Sequence, residues 1–184
     1  MSSTTTETKT PIAPAGTWQL DPIHSQIGFE VAYLSGTFKG QFREFDGKLV
    51  VDGDSATLEG SVKVASVDAK DENLSAHLQT PDFFDAEQHP VLGFTATDIS
   101  LDGENVNVQG DLTIKGVTQP TEVTGTVAAP LTDYAGRERI GLKLTTTVDR
   151  TAFGVSWNAP IPSGEPALAD DVSINAELFF SKEA

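Results

Sequence analysis

Three histidines, His24, His77 and His89, are the side chains best suited to proton transfer near neutral pH or to nitrogen ligation of a metal. None stands in an HxH or HxxxH spacing. Asp21 lies near His24, and Asp85 and Glu87 lie near His89, so an acid–base or metal site forms only where folding gathers such groups. Ser25 directly follows His24, but neighbours along a strand point to opposite faces, which disfavours a nucleophile and base from this pair. There is no GxSxG elbow. The run Gly110-Asp111-Leu112-Thr113-Ile114-Lys115-Gly116 has one glycine at each end of a strand and no following helix, unlike a phosphate loop. The absence of cysteine removes disulfides, thiolate metal sites and cysteine nucleophiles. A metal-dependent or acid–base enzyme using the histidines is therefore the second reading of these residues, not the first.

The cations are scarce. Twelve Lys and Arg stand against 27 Asp and Glu, a net charge of −15 that repels nucleic acid and anionic membrane surfaces. Residues 81–111 hold seven acids and neither Lys nor Arg. Against that background Lys115 closes a strand at a glycine turn, and Arg150 closes another just before Thr151-Ala152-Phe153-Gly154. Each either pairs with an acid such as Asp111 or Asp149 or sits at a mouth where it holds an anionic head group.

The elements that position these residues are strands. Residues 1–16 are Ser, Thr, Pro and Ala with little to bury and read as a disordered leader, leaving one domain over residues 17–184. From Trp18 onward apolar residues alternate with period two: Ile27, Phe29, Val31 and Tyr33 share one face. Leu49 and Val51 lead through Asp52-Gly53-Asp54 to Leu58, Val62 and Val64, which predicts a hairpin. Residues 91–101 turn at Asp102-Gly103-Glu104-Asn105 into Val106, Val108, Leu112 and Ile114. A turn over 116–120 leads to Val123 and Val127, a loop with Gly136 leads to Ile140, Leu142, Leu144 and Val148, and a last strand carries Val172 to Phe180. About eight antiparallel strands result, and closure into a barrel removes their edges. A β-sandwich shows the same alternation and stays open at this point.

One segment, residues 69–80, reads as a helix. Asp68 or Asp71 caps it, Pro81 stops it, and Leu74, His77 and Leu78 share a face that suits the opening of a barrel. Asp82-Phe83-Phe84-Asp85 continues as an irregular turn. Small residues on the apolar faces (Gly93, Gly110, Gly125, Ala176) leave room for a ligand, with Phe29, Phe94, Phe180, Trp18 and Trp157 as walls.

Several blocks together resemble the YceI-like family: Trp18-x-Leu20-Asp21-Pro22-x-His24-Ser25, Gly40-x-Phe42-x-x-Phe45-x-Gly47, and Asp71-x-x-Leu74-x-x-His77-Leu78 with Asp82-Phe83-Phe84-Asp85 and His89-Pro90. Residues 110–118 and Arg150-x-x-Phe153-Gly154-Val155 are similar to its later blocks, so the resemblance covers about residues 17–182. It implies an all-β, extended, eight-stranded antiparallel β-barrel, lipocalin-like, with a short helix and irregular turn covering one end. The cavity is expected to bind, carry or sequester a long apolar amphiphile: a polyisoprenoid, an isoprenoid quinone or a fatty-acid-like lipid. Neither a catalytic activity nor a cofactor is implied. The expected ligand-binding residues are His24, Phe29, Asp71, His77, Leu78, Phe83, Phe94, Lys115, Arg150, Phe153 and Trp157.

The start MSSTTTETKT has neither the basic nor the apolar region of a secretory signal, and no run approaches the ~18 apolar residues of a spanning helix. A cytoplasmic protein is the expectation, although many members of the resembled family are periplasmic. The expected partner is an isoprenoid or another long-chain lipid, with no nucleic acid. A homodimer through an edge or the mouth stays open.

Overall fold

A computed structural model of the protein describes residues 10–184. Residues 1–9, most of the expected leader, lie outside the described residues. The rest of that stretch belongs to the domain: Ile12 and Ala13 are buried in the core, and the Trp18 indole donates to the Pro14 carbonyl at 3.0 Å. Two apolar residues among Thr, Pro and Ala carry no periodicity, so the alternation that marks the other core positions is missing here.

The wall begins with β1 (Gly16–Leu20) and β2 (Gln26–Tyr33), two segments that both run beside the last strand of the chain and are separated by the turn at 21–25. Next come β3 (Gly36–Phe42) and β4 (Phe45–Asp52), likewise broken at residues 43–44. β5 (Ser55–Lys63), the two-residue β6 (Val67–Asp68) and the helix α1 (Glu72–Leu78) follow. The long strands β7 (Val91–Asp102), β8 (Asn105–Ile114), β9 (Val117–Thr132), β10 (Glu138–Asp149) and β11 (Leu168–Lys182) complete the chain.

Eight strands close a ring in the order β1-β4-β5-β7-β8-β9-β10-β11 and back to β1. Every pairing is antiparallel, so the fold is the expected barrel and not a sandwich. β11 serves two partners in succession: Phe180–Lys182 pair with β1, while its earlier residues pair with β2. β3 pairs with β2 along its length and touches β6 only at Gln41 and Phe42. The wall is therefore continuous at the β1 end and incomplete beside β3, where α1 and the residues after it lie.

Local chemistry sets the turns. Lys115 and Gly116 both have positive φ, 51° and 76°, in the two-residue link between Ile114 and Val117, the geometry that matches the twist of a tight hairpin. Pro120, expected in this turn, instead pairs with Asp111 inside β9. The helix is shorter than residues 69–80. Asp71 caps it by accepting from the Leu74 amide at 3.0 Å, and the Thr80 hydroxyl takes the His77 carbonyl at 2.6 Å, which ends the helix before Pro81 is reached.

Two apolar clusters divide the interior. At the β1 end Trp18, Leu49, Leu142 and Phe180 are at most 1% exposed and close the barrel with their own bulk. At the helical end Phe29, Phe42, Leu78, Phe153 and Val155 form the second cluster, on which Phe83 and Phe84 pack. The space that remains is bordered by Leu20, Leu58 and Phe180 of the first cluster and by Phe29, Leu78 and Phe153 of the second.

Candidate functional site: the barrel cavity

The inward residues enclose a cavity of about 440 Å³, within the usual range of about 300–1,000 Å³ for small-ligand sites. Its lining is almost entirely apolar. Phe29, His77, Leu78, Phe83, Phe94, Arg150, Phe153 and Trp157, all expected at a ligand site, line it together. Phe38, Phe42, Phe84, Tyr33 and Leu74 line it too and were not among the expected site residues. Phe38 and Phe42 alternate with Gly40 on the inward face of β3, a signal present in the sequence. Phe84 packs against Phe29 and Phe42 with centroids 6.1 and 5.7 Å apart, a contact that only the folded turn brings about.

The inward glycines do not leave the expected space. A β-carbon at Gly110 would stand 2.6 Å from the Phe94 ring, and one at Gly40 would collide with the ring of Phe29. Each phenyl lies across the glycine of a neighbouring strand. At Gly125 the β-carbon site is filled by the Lys143 carbonyl, a close approach of backbones. Gly93 alternates with inward Leu92 and Phe94, has nothing within 4 Å of its β-carbon site and borders the cavity through its backbone.

A lid lies over the incomplete end of the wall. His77 of α1 stands edge-on to Phe83 and to Trp157, with ring centroids 5.0 and 5.2 Å apart, and its Nε2 meets the Asp82 carboxylate at 3.0 Å. After α1 the chain folds back on itself, with the Phe84 amide bonded to the Leu78 carbonyl and the Ala86 amide to that of Gln79. Trp157 arrives from a different part of the chain. A short 3₁₀ turn over Arg150–Phe153, capped by Asp149 and ended by Gly154 at φ 77°, directs Phe153 and Val155 into the barrel end.

A YceI-like domain is matched over residues 18–180. The chain belongs to the YceI-like family. It is similar to a UPF0312 protein of Staphylococcus epidermidis, 30% identical over 172 residues that make up 89% of this chain and 96% of that one. A UPF0312 protein of Photorhabdus laumondii is 32% identical over 134 residues, 71% of this chain and 70% of that one. Among solved structures, Burkholderia cenocepacia BcnA matches with a TM-score of 0.75 at 24% identity, covering 87% of this chain and 98% of that one. The Campylobacter jejuni YceI protein matches at 0.69 and 26%, over 80% and 86%. A polyisoprenoid-binding domain from Saccharophagus degradans, implicated in plant cell wall breakdown, matches at 0.68 and 15%, over 90% and 98%.

Four polar residues expected at the site of this YceI-like barrel hold the fold instead of offering free groups to the cavity. Arg150 is 6% exposed, and although it lines the cavity its guanidinium donates to backbone carbonyls: Nε to Ala169 at 2.8 Å, Nη1 to Val155 at 2.9 Å and Trp157 at 2.8 Å, and Nη2 to Leu168 at 3.4 Å. Burial lowers its pKa, opposed by Asp170 and Asp149. Lys115 does not line the cavity; its ammonium bridges the Pro81 and Gly154 carbonyls at 2.6 and 3.3 Å, tying the lid turn and the 3₁₀ turn to the β8–β9 hairpin. Asp71 is the helix cap and likewise lies off the cavity.

His24 lies on the outer wall. Its Nδ1 meets Asp21 at 2.7 Å and its ring stands 6.1 Å from exposed Phe179. Asp21 also accepts from the Ile23 amide and from Arg139, whose guanidinium reaches Asp133. Burial works to raise the Asp21 pKa, but the hydrogen bonds from His24, Ile23 and Arg139 outweigh it and hold the carboxyl at about 2. His89 packs its ring on Gly116, in line with a structural role. The three histidines thus have separate partners, and among the described residues no cluster of three or more His, Asp or Glu side chains is placed to hold a metal ion.

Proposed function

We propose that the protein binds and carries, or sequesters, a long apolar amphiphile of the isoprenoid kind in its barrel cavity, without transforming it. The cavity carries this reading: an aromatic- and aliphatic-lined space inside a barrel sealed at the β1 end, with a lid at the other, suits a chain that enters tail first. The S. degradans polyisoprenoid-binding domain shares the fold and supports the same class of ligand. Among the described residues no helix is long and apolar enough to cross a membrane, and the proposed partner is a lipid molecule taken up one at a time. We further propose that this takes place in the cytoplasm.

Trp157 forms part of the cavity lining, so tryptophan fluorescence should respond to filling. Titration with an isoprenoid alcohol is expected to give saturable quenching or enhancement in the wild type, and Trp157→Phe should remove most of that response while the remaining Trp18, buried in the sealed end, stays silent. A linear, unsaturable signal would contradict the reading.

A further inference from the structure

The charged groups around the cavity bear on its head-group preference. Arg150 is the only cation among the described lining residues. A guanidinium has five N–H donors. Four of Arg150's are directed to backbone carbonyls, and Nη2 also faces Asp170 at 3.7 Å. Lys115, which reaches the lid turn, is bonded to two carbonyls. Two acids, Asp46 and Glu59, belong to the lining; both are exposed, and Glu59 alternates with inward Leu58 and Gly60. At the mouth the titratable pair is His77 with Asp82, in which a protonated imidazole would be neutralised by its own carboxylate.

We infer that the cavity selects an amphiphile with an uncharged hydroxyl head and discriminates against phosphate, diphosphate and carboxylate heads of the same chain. This rests on the lipid-binding reading above and deepens it. An anionic head at the mouth would meet the Asp82 carboxylate, while Arg150, the cation of the lining, is committed to carbonyls, and drawing an unpaired anion toward an apolar cavity carries a large desolvation cost. A hydroxyl meets no such penalty. With Nε2–H donating to Asp82, neutral His77 keeps Nδ1 as an acceptor, and the flanking rings of Phe83 and Trp157 fix the plane in which that lone pair lies. The alcohol O–H is the head group that this atom accepts.

The test uses the full chain, at a pH above the histidine range and below the probes' micelle-forming concentrations. Geranylgeraniol, its methyl ether and geranylgeranyl diphosphate share one chain and differ only at the head. The alcohol is expected to bind at least about tenfold more tightly than the diphosphate, and more tightly than the ether, which has no proton for Nδ1. Asp82→Lys should narrow the gap between alcohol and diphosphate severalfold, and raised salt should narrow it in the wild type, a control that needs no variant to fold. Diphosphate binding as tight as the alcohol overturns the head-group inference alone, and ether binding as tight as the alcohol overturns the role given to Nδ1. Binding of none of the three overturns the lipid-binding reading and takes this inference with it.

Discussion

The ring of Phe94 lies across Gly110 on the neighbouring strand, 2.6 Å from where a β-carbon would stand, with the Thr95 carbonyl at 2.7 Å and the Ala96 β-carbon at 2.8 Å from the same point. Because a backbone oxygen crowds the site as closely as the phenyl does, rotating Phe94 alone does not make room. Gly110→Ala is expected to cost about 1–3 kcal/mol, the usual range for overpacking a well-filled interior. Urea denaturation at equilibrium measures it, and an unchanged midpoint and slope would contradict the packing described.

Phe94 is also part of the cavity wall, whereas Lys143 is exposed on the outside of β10. Phe94→Asp places a carboxylate among apolar side chains and is expected to weaken amphiphile uptake by about tenfold or more. Lys143→Ala should leave uptake unchanged. Circular dichroism on both variants separates loss of binding from loss of fold, and equal uptake by two folded variants would count against the placement of the cavity.

Arg150 gathers carbonyls from two stretches of chain, Val155 and Trp157 on one side and Leu168 and Ala169 on the other. Lysine cannot reproduce that fork, and the acceptors on Val155 and Leu168 are buried. Arg150→Lys is expected to destabilise the fold by about 2–4 kcal/mol, read as a lower denaturation midpoint. In the folded variant the preference for an uncharged head should persist. A variant as stable as the wild type would contradict the role given to Arg150.

The Asp21 carboxyl has a pKa lowered from 3.8 to about 2 by its hydrogen bonds. A depressed carboxyl stabilises the fold above its unfolded pKa, and that stability is lost as pH falls through the window from about 4 to about 2. Screening by the surrounding water limits the contribution to about 1 kcal/mol. Asp21→Asn should remove this part of the acid dependence, seen by comparing denaturation midpoints across that window. Parallel curves for the two proteins would contradict it.

Much of this architecture is legible in the residue pattern. Alternation at Ile27, Phe29 and Val31, or at Ile140, Leu142 and Leu144, identifies inward faces because a pleated strand presents every second residue to one side. Asp71, two Phe and a Pro in the right places announce the lid. What stays hidden is set by contacts between distant backbones. In the sequence Arg150 reads as the partner of an acid or of an anionic head group, since its acceptors are main-chain oxygens, which no residue type encodes. Gly40 and Gly110 look like empty volume, and only the register that sets Phe29 opposite Gly40 and Phe94 next to Gly110 shows how they are filled. Ile12 and Ala13 lack any periodic context, and their burial follows from where the first strand enters the barrel.

The proposed function requires that the cavity hold an isoprenoid-type amphiphile. Mass spectrometry of the organic extract from the natively purified protein tests it most directly. A long, branched, apolar chain with an uncharged head is expected in substantial yield per protein, absent from an extract of the Phe94→Asp variant. Repeated extracts with no bound amphiphile, together with no uptake of added isoprenoid, would contradict it.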